Sequence, residues 1–545
     1  MRGAPGTGSS RKQAGDGPTS WPKPGVPSAP AAGTSPGRRA VGALAGGGLL
    51  ALAFPPVDAS PLAWVALVPV LWVSLGQGMR TAFRTAWLAG FAFFLATLYW
   101  LVLTIGTYTN LSPLVSVGPL LLLCGFLALF FAVFAAGCEL ARGRGLGLAL
   151  VGPPLWVLLE WVRTYVLGGF PWVSLGYSQY RATYLIQFAE FTGIYGVSAL
   201  VALVNVSVYG ALRRWRDGLA PRSRGVLAVA VLMIGLVAWG FGRVHALKAR
   251  APIGSLRVGV VQGNVPQDVK WDPTYQNGTI DHYATLTARA AEAGAQLVIW
   301  PETAAPFFFQ EEGELRERIL AIARRHGIWL LVGSPAFDDD SAGLALHNRV
   351  YLLTPEGAAV RYYDKMELVP FGEYVPLASL FFFVHKVVEG VGDFRAGTMP
   401  VVFHTLRGSF GTLVCYEGIF PGLVRRFVVA GADFLVNVTN DAWFGRTSAP
   451  YQHLAMGTVR AIENRVPIVR VANTGFSAII DFDGTIRWRT GLFETAWRVD
   501  TLSWLGETTF YTRFGDLFVY GCLVVLAVAT LVGMGRPARP STAGR

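Results

Sequence analysis

Long apolar runs dominate the chain up to residue 242 and return once near its end. Each run approaches the ~20 residues that an α-helix needs to cross the hydrocarbon core of a bilayer. The first two runs are short and interrupted by Gly or Pro, which favours a shallow hairpin. The pattern predicts a polytopic α-helical membrane protein with about eight spans, at about 40–55, 61–77, 85–106, 113–138, 146–166, 190–211, 225–242 and 516–534.

The segment before the first run is rich in Gly, Pro, Ser and Ala and has no periodicity, which is typical of disorder. A secretory signal peptide is the alternative interpretation of the first run, but more apolar runs follow it without a plausible cleavage site. We therefore expect a disordered cytoplasmic tail at 1–38, seven transmembrane helices within 39–242, an extramembrane domain at 250–510, a final transmembrane helix at 516–534 and a cytoplasmic tail at 535–545.

Arginine residues occur in alternate loops between the apolar runs. They precede the first run, lie between the second and third, the fourth and fifth, and the sixth and seventh, and follow the last one. The loops at 56–60 and 107–112 carry no Lys or Arg. Because short loops rich in these residues stay in the cytoplasm, both termini are expected there and residues 243–515 outside it.

Composition agrees with a membrane protein, since 52% of the residues are hydrophobic and only 15% are charged. Mean hydropathy is +0.43, which excludes a purely cytosolic enzyme. An aromatic content of 13% excludes disorder throughout, and four cysteines in 545 residues exclude a disulfide scaffold. The net charge of +12 follows from the arginine-rich loops, so it does not indicate nucleic-acid binding.

Between about 250 and 510 the pattern changes to that of a soluble α/β domain. Helical stretches are expected at 274–293, 311–326, 420–431 and 450–465, between short buried strands. Such alternation predicts a layered sheet with helices packed on it, and ligands gather at the carboxyl ends of its strands. The predicted strands are 256–261, 297–300, 329–332, 350–353, 412–415, 434–438, 468–471 and 477–480.

Three polar residues of this domain form a candidate catalytic set. Glu302 and Cys415 each follow a predicted strand, and Lys365 lies in a polar segment. A cysteine between a strand and a helix meets the helix N-terminal dipole, which favours the thiolate. A carboxylate can take a thiol proton, and an ammonium can stabilise the oxyanion of a tetrahedral intermediate.

Other interpretations of these residues remain open at this stage. Taken singly, Cys415 is compatible with an inert core residue, Glu302 with a helix cap and Lys365 with a solvated charge. A Cys–His pair is a further alternative, since four histidines lie in the domain: His282, His347, His404 and His453. The Cys and His residues are scattered without the spacing of metal ligands, so no metal or other cofactor is expected.

Taken together, these segments resemble the nitrilase (carbon–nitrogen hydrolase) superfamily, which uses a Glu–Lys–Cys triad on an αββα sandwich. The resemblance is carried by Trp-Pro-Glu-Thr at 300–303, Asp-Lys at 364–365 and Val-Cys-Tyr-Glu at 414–417. Further segments are similar to the membrane-embedded branch of the superfamily that acylates lipoproteins. They lie at 261–267, 270–272, 368–376, 437–445 and 460–465, and the resemblance extends from about residue 40 to 535.

The resemblance implies that Cys415 is the nucleophile, Glu302 the general base and Lys365 the stabiliser of the oxyanion. Thiolate attack on the sn-1 ester of a phospholipid, with phosphatidylethanolamine the expected donor, would leave an acyl thioester. The α-amine of a diacylglyceryl-modified cysteine of an apolipoprotein would then take the acyl chain. The bilayer is an implied partner, no diffusible cofactor is needed, and nothing in the sequence demands more than a monomer.

The same resemblance assigns supporting roles to four more residues. Glu373 matches an additional essential carboxylate, and Trp271 matches a tryptophan at the substrate entrance. Tyr416 and Glu417 are expected to shape the pocket beside the thiol, although simple packing also accounts for Tyr416 and Trp271. Two aromatic runs, at 307–309 and 381–383, are expected either to touch the membrane as lids or to belong to the core.

Two other functions compete with acyl transfer. A membrane-anchored nitrilase-type amidase would share the triad, so the triad alone does not separate the two activities. A transporter or membrane scaffold with an inactive outer domain is a rival from a different class. Transporters usually show internal repeats and intramembrane charges. Here the nearest candidates are Glu160 and Glu190 at the margins of spans, and no repeat is visible.

Overall fold

The computed structural model describes residues 35–108, 113–220, 223–340, 343–370, 372–374 and 394–535. Most of the predicted N-terminal tail, the aromatic run at 381–383 and residues 536–545 lie outside these ranges. The first helix already begins at Pro36, inside the segment predicted as tail.

Apolar helices make up most of the described chain between residues 35 and 248, and one more forms the C-terminal helix, Leu517–Met534. Their apolar composition over long stretches predicts helices that bury against one another and face lipid. In chain order they are α1 (Pro36–Leu52), α2 (Leu67–Ser74), α3 (Met79–Leu98), α4 (Trp100–Tyr108), α5 (Pro113–Gly143), α6 (Leu148–Tyr165), α7 (Thr183–Ile186), α8 (Ala189–Thr192), α9 (Ile194–Arg216) and α10 (Ser223–Lys248).

Five helices in the described part of the chain are long and apolar enough to cross a bilayer: α3, α5, α9, α10 and the C-terminal helix. A membrane protein is therefore supported, whereas the predicted count of about eight spans is not confirmed. The first two predicted spans correspond to α1, of 17 residues, and to a short apolar stretch at Ser60–Ser74. Both are shorter than the ~20 residues of a full crossing.

The segment between α10 and the C-terminal helix folds into two six-stranded sheets with helices on their outer faces. Its helices are α11 (Pro273–Glu292), α12 (Glu314–His326), α13 (Pro421–Val429), α14 (Ala449–Asn464) and α15 (Phe510–Phe514), and the C-terminal helix is α16. Its strands are β1 (Gly254–Gln262), β2 (Leu297–Ile299), β3 (Trp329–Asp340), β4 (Gly343–Leu353), β5 (Ala359–Asp364), β6 (Val402–His404), β7 (Ser409–Val414), β8 (Phe434–Thr439), β9 (Ile468–Ala472), β10 (Ala478–Ile480), β11 (Ile486–Arg489) and β12 (Ala496–Trp504).

The two sheets share one topology. The first has the order β12-β1-β2-β3-β4-β5, and the second has the order β11-β10-β9-β8-β7-β6. In each sheet three parallel strands are joined through helices and flanked by antiparallel strands. The arrangement is a nitrilase-like α/β sandwich. Glu302 and Cys415 follow parallel strands, and Lys365 follows the antiparallel edge strand β5.

All eight strands predicted from the sequence lie within observed strands or extend one residue beyond them at one end. The four strands that the sequence did not indicate are β5, β6, β11 and β12. Three of these are mostly solvent-exposed or half-exposed, and β6 has three residues. A strand that is buried on both faces has a continuous apolar run, whereas an edge strand lacks that signal.

Polar side chains of the sandwich bind the ends of membrane-region helices. The Glu463 carboxylate, on α14, accepts a hydrogen bond of 2.7 Å from the backbone N–H of Ile194, the first residue of α9. The Arg465 guanidinium donates to the carboxylate of Glu190, on α8, at 2.7 Å. Because these groups are buried, the sandwich and the helices form one packed unit at this boundary.

Candidate active site

The candidate nucleophile Cys415 lies on a tight turn directly after β7. Its φ is +51°, in the left-handed region that non-glycine residues rarely adopt. It begins a 3₁₀ turn, Cys415–Ile419, and α13 starts only at Pro421. The expectation that a helix N-terminus favours the thiolate is therefore wrong: burial and the nearby Glu302 carboxylate instead raise the pKa of the Cys415 thiol.

Glu302 lies on a corresponding turn after β2, and its two carboxylate oxygens have different partners. Oε1 accepts a hydrogen bond of 2.7 Å from the Asn348 amide, and Oε2 accepts one of 2.8 Å from the backbone N–H of Asn440. Because these donors are neutral, they orient the carboxylate without neutralising its charge. The side chain is 6% exposed, so water competes little for these contacts.

Lys365 directly follows β5 and brings a positive charge between two carboxylates. Its ammonium lies 2.9 Å from an oxygen of Glu373 and 3.6 Å from Oε1 of Glu302. Burial favours the neutral amine, but Glu373 and Glu302, with Cys415, outweigh burial and raise the pKa of Lys365 above its ordinary value. The lysine is therefore a fixed cation beside the thiol.

Glu373 was expected as an additional carboxylate, and it orients the lysine. Its second oxygen accepts a hydrogen bond of 2.8 Å from the backbone N–H of Val369, so the carboxylate is held from two sides. Asn348, by contrast, was not singled out from the sequence. Its amide donates to both Glu302 and Glu373, at 2.7 and 3.1 Å. It lies in β4 between His347 and Arg349, just before the apolar run at 350–353 that predicted the strand.

Glu417 does not point to the thiol; it joins the two sheets beneath it. One oxygen accepts hydrogen bonds from the Tyr363 hydroxyl at 2.6 Å and from the backbone N–H of Met366 at 2.7 Å. The other oxygen accepts from the backbone N–H of Val414 at 2.6 Å. Since Val414 precedes the cysteine and Met366 follows the lysine, Glu417 fixes the distance between these two turns.

Tyr416 connects the cysteine turn to the membrane region. Its hydroxyl donates to the backbone carbonyl of Gly169, after α6, at 3.1 Å. Nearby, the Trp172 indole donates to the Gln452 amide oxygen at 2.7 Å, and the Gln452 amide donates to the carbonyl of Thr97, on α3, at 3.1 Å. The candidate site therefore lies against the apolar helices.

His453, one of the four histidines weighed for a Cys–His pair, lies behind the cysteine backbone. Its Nε2 contacts the Cys415 carbonyl oxygen at 3.1 Å, and Arg470 donates to its Nδ1 at 3.0 Å. These contacts place the proton on Nε2, since a carbonyl only accepts and the guanidinium only donates. With both ring nitrogens engaged, His453 holds the turn and does not serve the thiol as a base.

Asp441 completes the buried group behind the cysteine. Its carboxylate accepts from Arg470 at 2.7 Å and from the Thr439 hydroxyl at 2.9 Å. Although burial opposes the charge, the Arg470 guanidinium holds the pKa of this carboxyl well below its usual range. Asp441 is thus a permanent anion paired with a guanidinium.

Trp271 lies on the loop at 263–272, which follows β1, and its side chain is partly exposed. The next residue, Asp272, caps α11 by accepting from the Thr274 N–H at 2.9 Å, so the loop ends on a rigid element. The aromatic run at 307–309 is mainly core: Phe309 is 1% exposed, and Phe307 packs against the same cluster.

The arrangement suits chemistry at an ester or amide carbonyl. A protonated, buried thiol has a carboxylate nearby to take its proton and a fixed cation nearby to stabilise an oxyanion. The structure thus brings Glu302, Lys365, Glu373 and Cys415 together. Glu417 links the turn at Lys365 to the turn at Cys415. Tyr416 lies at the boundary with the apolar helices.

Comparison with known sequences gives two matching families along the chain. Residues 46–207 match the apolipoprotein N-acyltransferase N-terminal domain, and residues 257–499 match carbon-nitrogen hydrolase. The two matches lie on opposite sides of the end of α10. The first covers apolar helices, and the second covers the sandwich.

Curated relatives match nearly the whole chain. An apolipoprotein N-acyltransferase from Geobacter metallireducens is 45% identical over 498 residues, covering 91% of this chain and 95% of that protein. One from Brucella melitensis is 34% identical over 473 residues, covering 82% and 87%. Among solved structures, an amidase of the nitrilase superfamily from Nesterenkonia AN1 aligns with a TM-score of 0.36 at 21% identity, covering 49% of this chain and 96% of that one.

Proposed function

The chain belongs to the apolipoprotein N-acyltransferase family, and we propose that it moves the sn-1 acyl chain of a phospholipid through Cys415 to a lipoprotein. The family membership makes it an acyltransferase and disfavours the amidase alternative. The donor we propose is phosphatidylethanolamine. The acceptor is the α-amine of the diacylglyceryl-modified cysteine of an apolipoprotein.

In the first half-reaction, Glu302 removes the proton of the Cys415 thiol as sulfur attacks the ester carbonyl carbon. Lys365 stabilises the oxyanion of the tetrahedral intermediate. When the intermediate collapses, the C–O bond breaks and the lysophospholipid oxygen takes the proton back from Glu302. An acyl thioester remains on Cys415, so no group outside the chain and its substrates is needed to balance the step.

In the second half-reaction, the acceptor amine attacks the thioester carbonyl carbon. Glu302 accepts the amine proton, Lys365 again stabilises the oxyanion, and the C–S bond breaks. The proton then returns to the sulfur, which restores the resting thiol and leaves the amide product. Glu373 supports both steps because it holds the Lys365 ammonium at 2.9 Å.

One observation carries this proposal: the Cys415 thiol is buried with a raised pKa, next to a carboxylate that neutral donors hold in place. A thiol that stays protonated at rest requires a base at the moment of attack, and Glu302 is positioned to act as that base. The Asn348 amide and the Asn440 backbone N–H hold this carboxylate in place, with the Lys365 ammonium 3.6 Å away.

The position of the site supports lipid substrates. Tyr416 and Gln452 tie it to the ends of apolar helices, so acyl chains reach it without leaving the membrane. Withdrawing a chain into water would cost roughly 0.8 kcal/mol per methylene. We place Trp271 at the substrate entrance, and Tyr416 and Glu417 in the wall and support of the pocket.

For the whole chain we propose a monomer in the bacterial inner membrane with both termini in the cytoplasm. The helices within 39–242 and the helix at 516–534 would anchor an extracytoplasmic catalytic domain at 250–510. Along the first four apolar runs, loops with arginine alternate with loops that carry no Lys or Arg, and this alternation supports the orientation.

The test is intact-protein mass spectrometry after incubation of the purified enzyme with phosphatidylethanolamine and no acceptor. We expect an added acyl mass that neutral hydroxylamine removes and that is absent from Cys415→Ala. Adding a diacylglyceryl-cysteine peptide should discharge the adduct and acylate the peptide amine. Release of free fatty acid without an adduct would indicate hydrolysis, and an adduct that persists in Cys415→Ala would overturn the assignment of the nucleophile.

A further inference from the structure

Lys270 is a buried cation without a carboxylate partner among the contacts of the described residues. It is 2% exposed, and its ammonium donates to the Thr303 hydroxyl at 2.6 Å and to the backbone carbonyl of Glu302 at 3.2 Å. A buried charge is usually paired with an opposite charge, because desolvation is costly. The cost here is met by two neutral oxygens, and both belong to the turn that carries the candidate base.

The turn at Glu302 contains a strained backbone conformation, which the surrounding contacts must stabilise. Thr303 has a φ of +49°, which is a strained conformation for a β-branched residue. A neighbouring strand approaches it closely, since a Cβ at Gly333 would lie 2.7 Å from the Thr303 backbone nitrogen. The ammonium of Lys270 binds the carbonyl before the strained residue and the hydroxyl of that residue.

The loop that carries Lys270 reaches the same carboxylate by a second route. Gln267 accepts a hydrogen bond of 2.7 Å from the Asn440 side chain, and the Asn440 backbone N–H donates to Oε2 of Glu302. The start of the loop is fixed by Asn473, which exchanges hydrogen bonds of 2.9 and 2.8 Å with the Val265 backbone. The loop therefore contacts both the main chain and, through Asn440, the carboxylate of Glu302.

From these contacts we propose that Lys270 is a positioning residue, which fixes the Glu302 turn for proton transfer and links it to the loop bearing Trp271. This inference rests on the proposed role of Glu302 as the base. Because Trp271 is the next residue in the chain, a substrate that moves this tryptophan also moves the support of the base.

The charge of Lys270 gives this arrangement a measurable pH dependence. Burial lowers the pKa of Lys270 to about 8, against the opposing effect of Glu302. The titratable groups around it are Glu302 on the β2 turn and, beyond that carboxylate, Lys365, Glu373 and Cys415. His282 contacts the other end of the loop, at the Gly263 carbonyl, at 2.8 Å. Comparing variants that share all these groups isolates the contribution of Lys270.

The test measures the single-turnover rate of acyl-enzyme formation with phosphatidylethanolamine between pH 6 and 10. We expect Lys270→Met to slow acylation roughly 10- to 100-fold at pH 7, the scale on which small displacements of a reacting group act. The wild-type profile should bend near pH 8, and that bend should be absent from Lys270→Met. Lys270→Arg should recover most of the rate without the bend, since a guanidinium stays charged throughout this range.

A second pair of variants covers the case in which Lys270→Met does not fold. Thr303→Ala removes the hydroxyl that accepts from the ammonium, and Thr303→Ser keeps it, so only the first should slow acylation. Lys248→Met, which removes an exposed lysine paired with Asp483, should leave the rate unchanged.

Three results would overturn the proposal. Wild-type rates and an unaltered pH profile in folded Lys270→Met would do so, and so would equal rates in the two Thr303 variants. In both cases the wild-type adduct on Cys415 would still form, so the proposed acyl transfer would stand. Absence of any adduct in the wild type would instead overturn the function and, with it, this inference.

Discussion

The two sheets of the sandwich have the same topology, but the carboxylates after their central parallel strands are held differently. Glu302 follows β2 and accepts from an amide and a backbone N–H, with the Lys365 cation 3.6 Å away. Asp441 follows β8 and is paired with Arg470 at 2.7 Å. Both are buried. One fold repeated twice therefore holds one carboxylate mainly by neutral donors and the other by a direct pair with a guanidinium.

The cations behind these two carboxylates differ in the same sense. Arg470 contacts the Asp441 carboxylate directly, so its charge is compensated. Lys270 contacts only the carbonyl of Glu302 and the Thr303 hydroxyl. The second sheet thus contains a direct ion pair, which supports the backbone of Cys415, whereas the first sheet contains a cation that contacts only neutral oxygens beside Glu302.

The comparison is tested most severely by removing the charge of each carboxylate in turn. Glu302→Gln should lower the rate of acyl-enzyme formation by roughly 10²- to 10⁴-fold, the usual contribution of a general base, while melting close to the wild type. Asp441→Asn leaves Arg470 buried without its anion, and this should cost about 3–5 kcal/mol of unfolding free energy. Single-turnover acylation and thermal unfolding in detergent measure the two effects.

The opposite pattern would break the comparison. If Asp441→Asn were as stable as the wild type and lost only activity, the two carboxylates would have equivalent roles. A large loss of stability in Glu302→Gln would lead to the same conclusion. Either result would mean that Glu302 and Asp441 do not differ in role as we propose.

A smaller effect is expected in the pH dependence of stability. The pKa of Lys270 is lowered to about 8 in the folded protein, below the ~10.4 of an unfolded lysine. Between these values the unfolded chain binds more protons, so the unfolding free energy should rise with pH, by at most about 3 kcal/mol. The difference between wild type and Lys270→Met in denaturant titrations from pH 7 to 10.5 should follow this rise. A difference in unfolding free energy that does not change with pH would contradict the lowered pKa of Lys270.

The smallest effect concerns the link between the second sheet and the membrane helices. Tyr416→Phe removes the hydrogen bond to Gly169, which is worth about 1 kcal/mol. We expect acylation by phospholipid micelles to fall a few-fold, while acylation by a small soluble ester is unchanged. Equal losses with both donors would mean that Tyr416 acts on the chemistry and not on the fit of the sandwich to the helices.

The sequence predicted the strands of this sandwich where burial leaves a clear signal. Each of the eight predicted strands has a nearly continuous apolar run, and the exposed strands β11 and β12 do not. The residues of the candidate set were found because each stands at the end of a strand, in a segment that resembles a known family. The distances between these residues depend on how the two sheets pack against each other, and most strands of the two sheets come from different parts of the chain.

Other contributions to the site had no sequence signal of their own. Asn348 is a single amide within a buried strand, and its role depends on where Glu302 and Glu373 lie. Lys270 directly precedes Trp271, which the family resemblance singled out, but only the structure shows the contacts of the lysine. The predicted effect of a helix dipole on Cys415 is wrong because burial raises the pKa of the thiol, and the rest of a 3₁₀ turn separates the cysteine from α13.

The contact between Glu463 and the first backbone N–H of α9 has a consequence for biosynthesis. A ribosome releases Ile194 long before it makes Glu463, 269 residues later. During that interval the start of α9 lacks the partner that it has in the finished protein, and Glu190 lacks Arg465. The apolar helices therefore acquire these partners only from a part of the chain that is translated afterwards, so a truncated product ending before α14 would carry unsatisfied polar groups at α8 and at the start of α9.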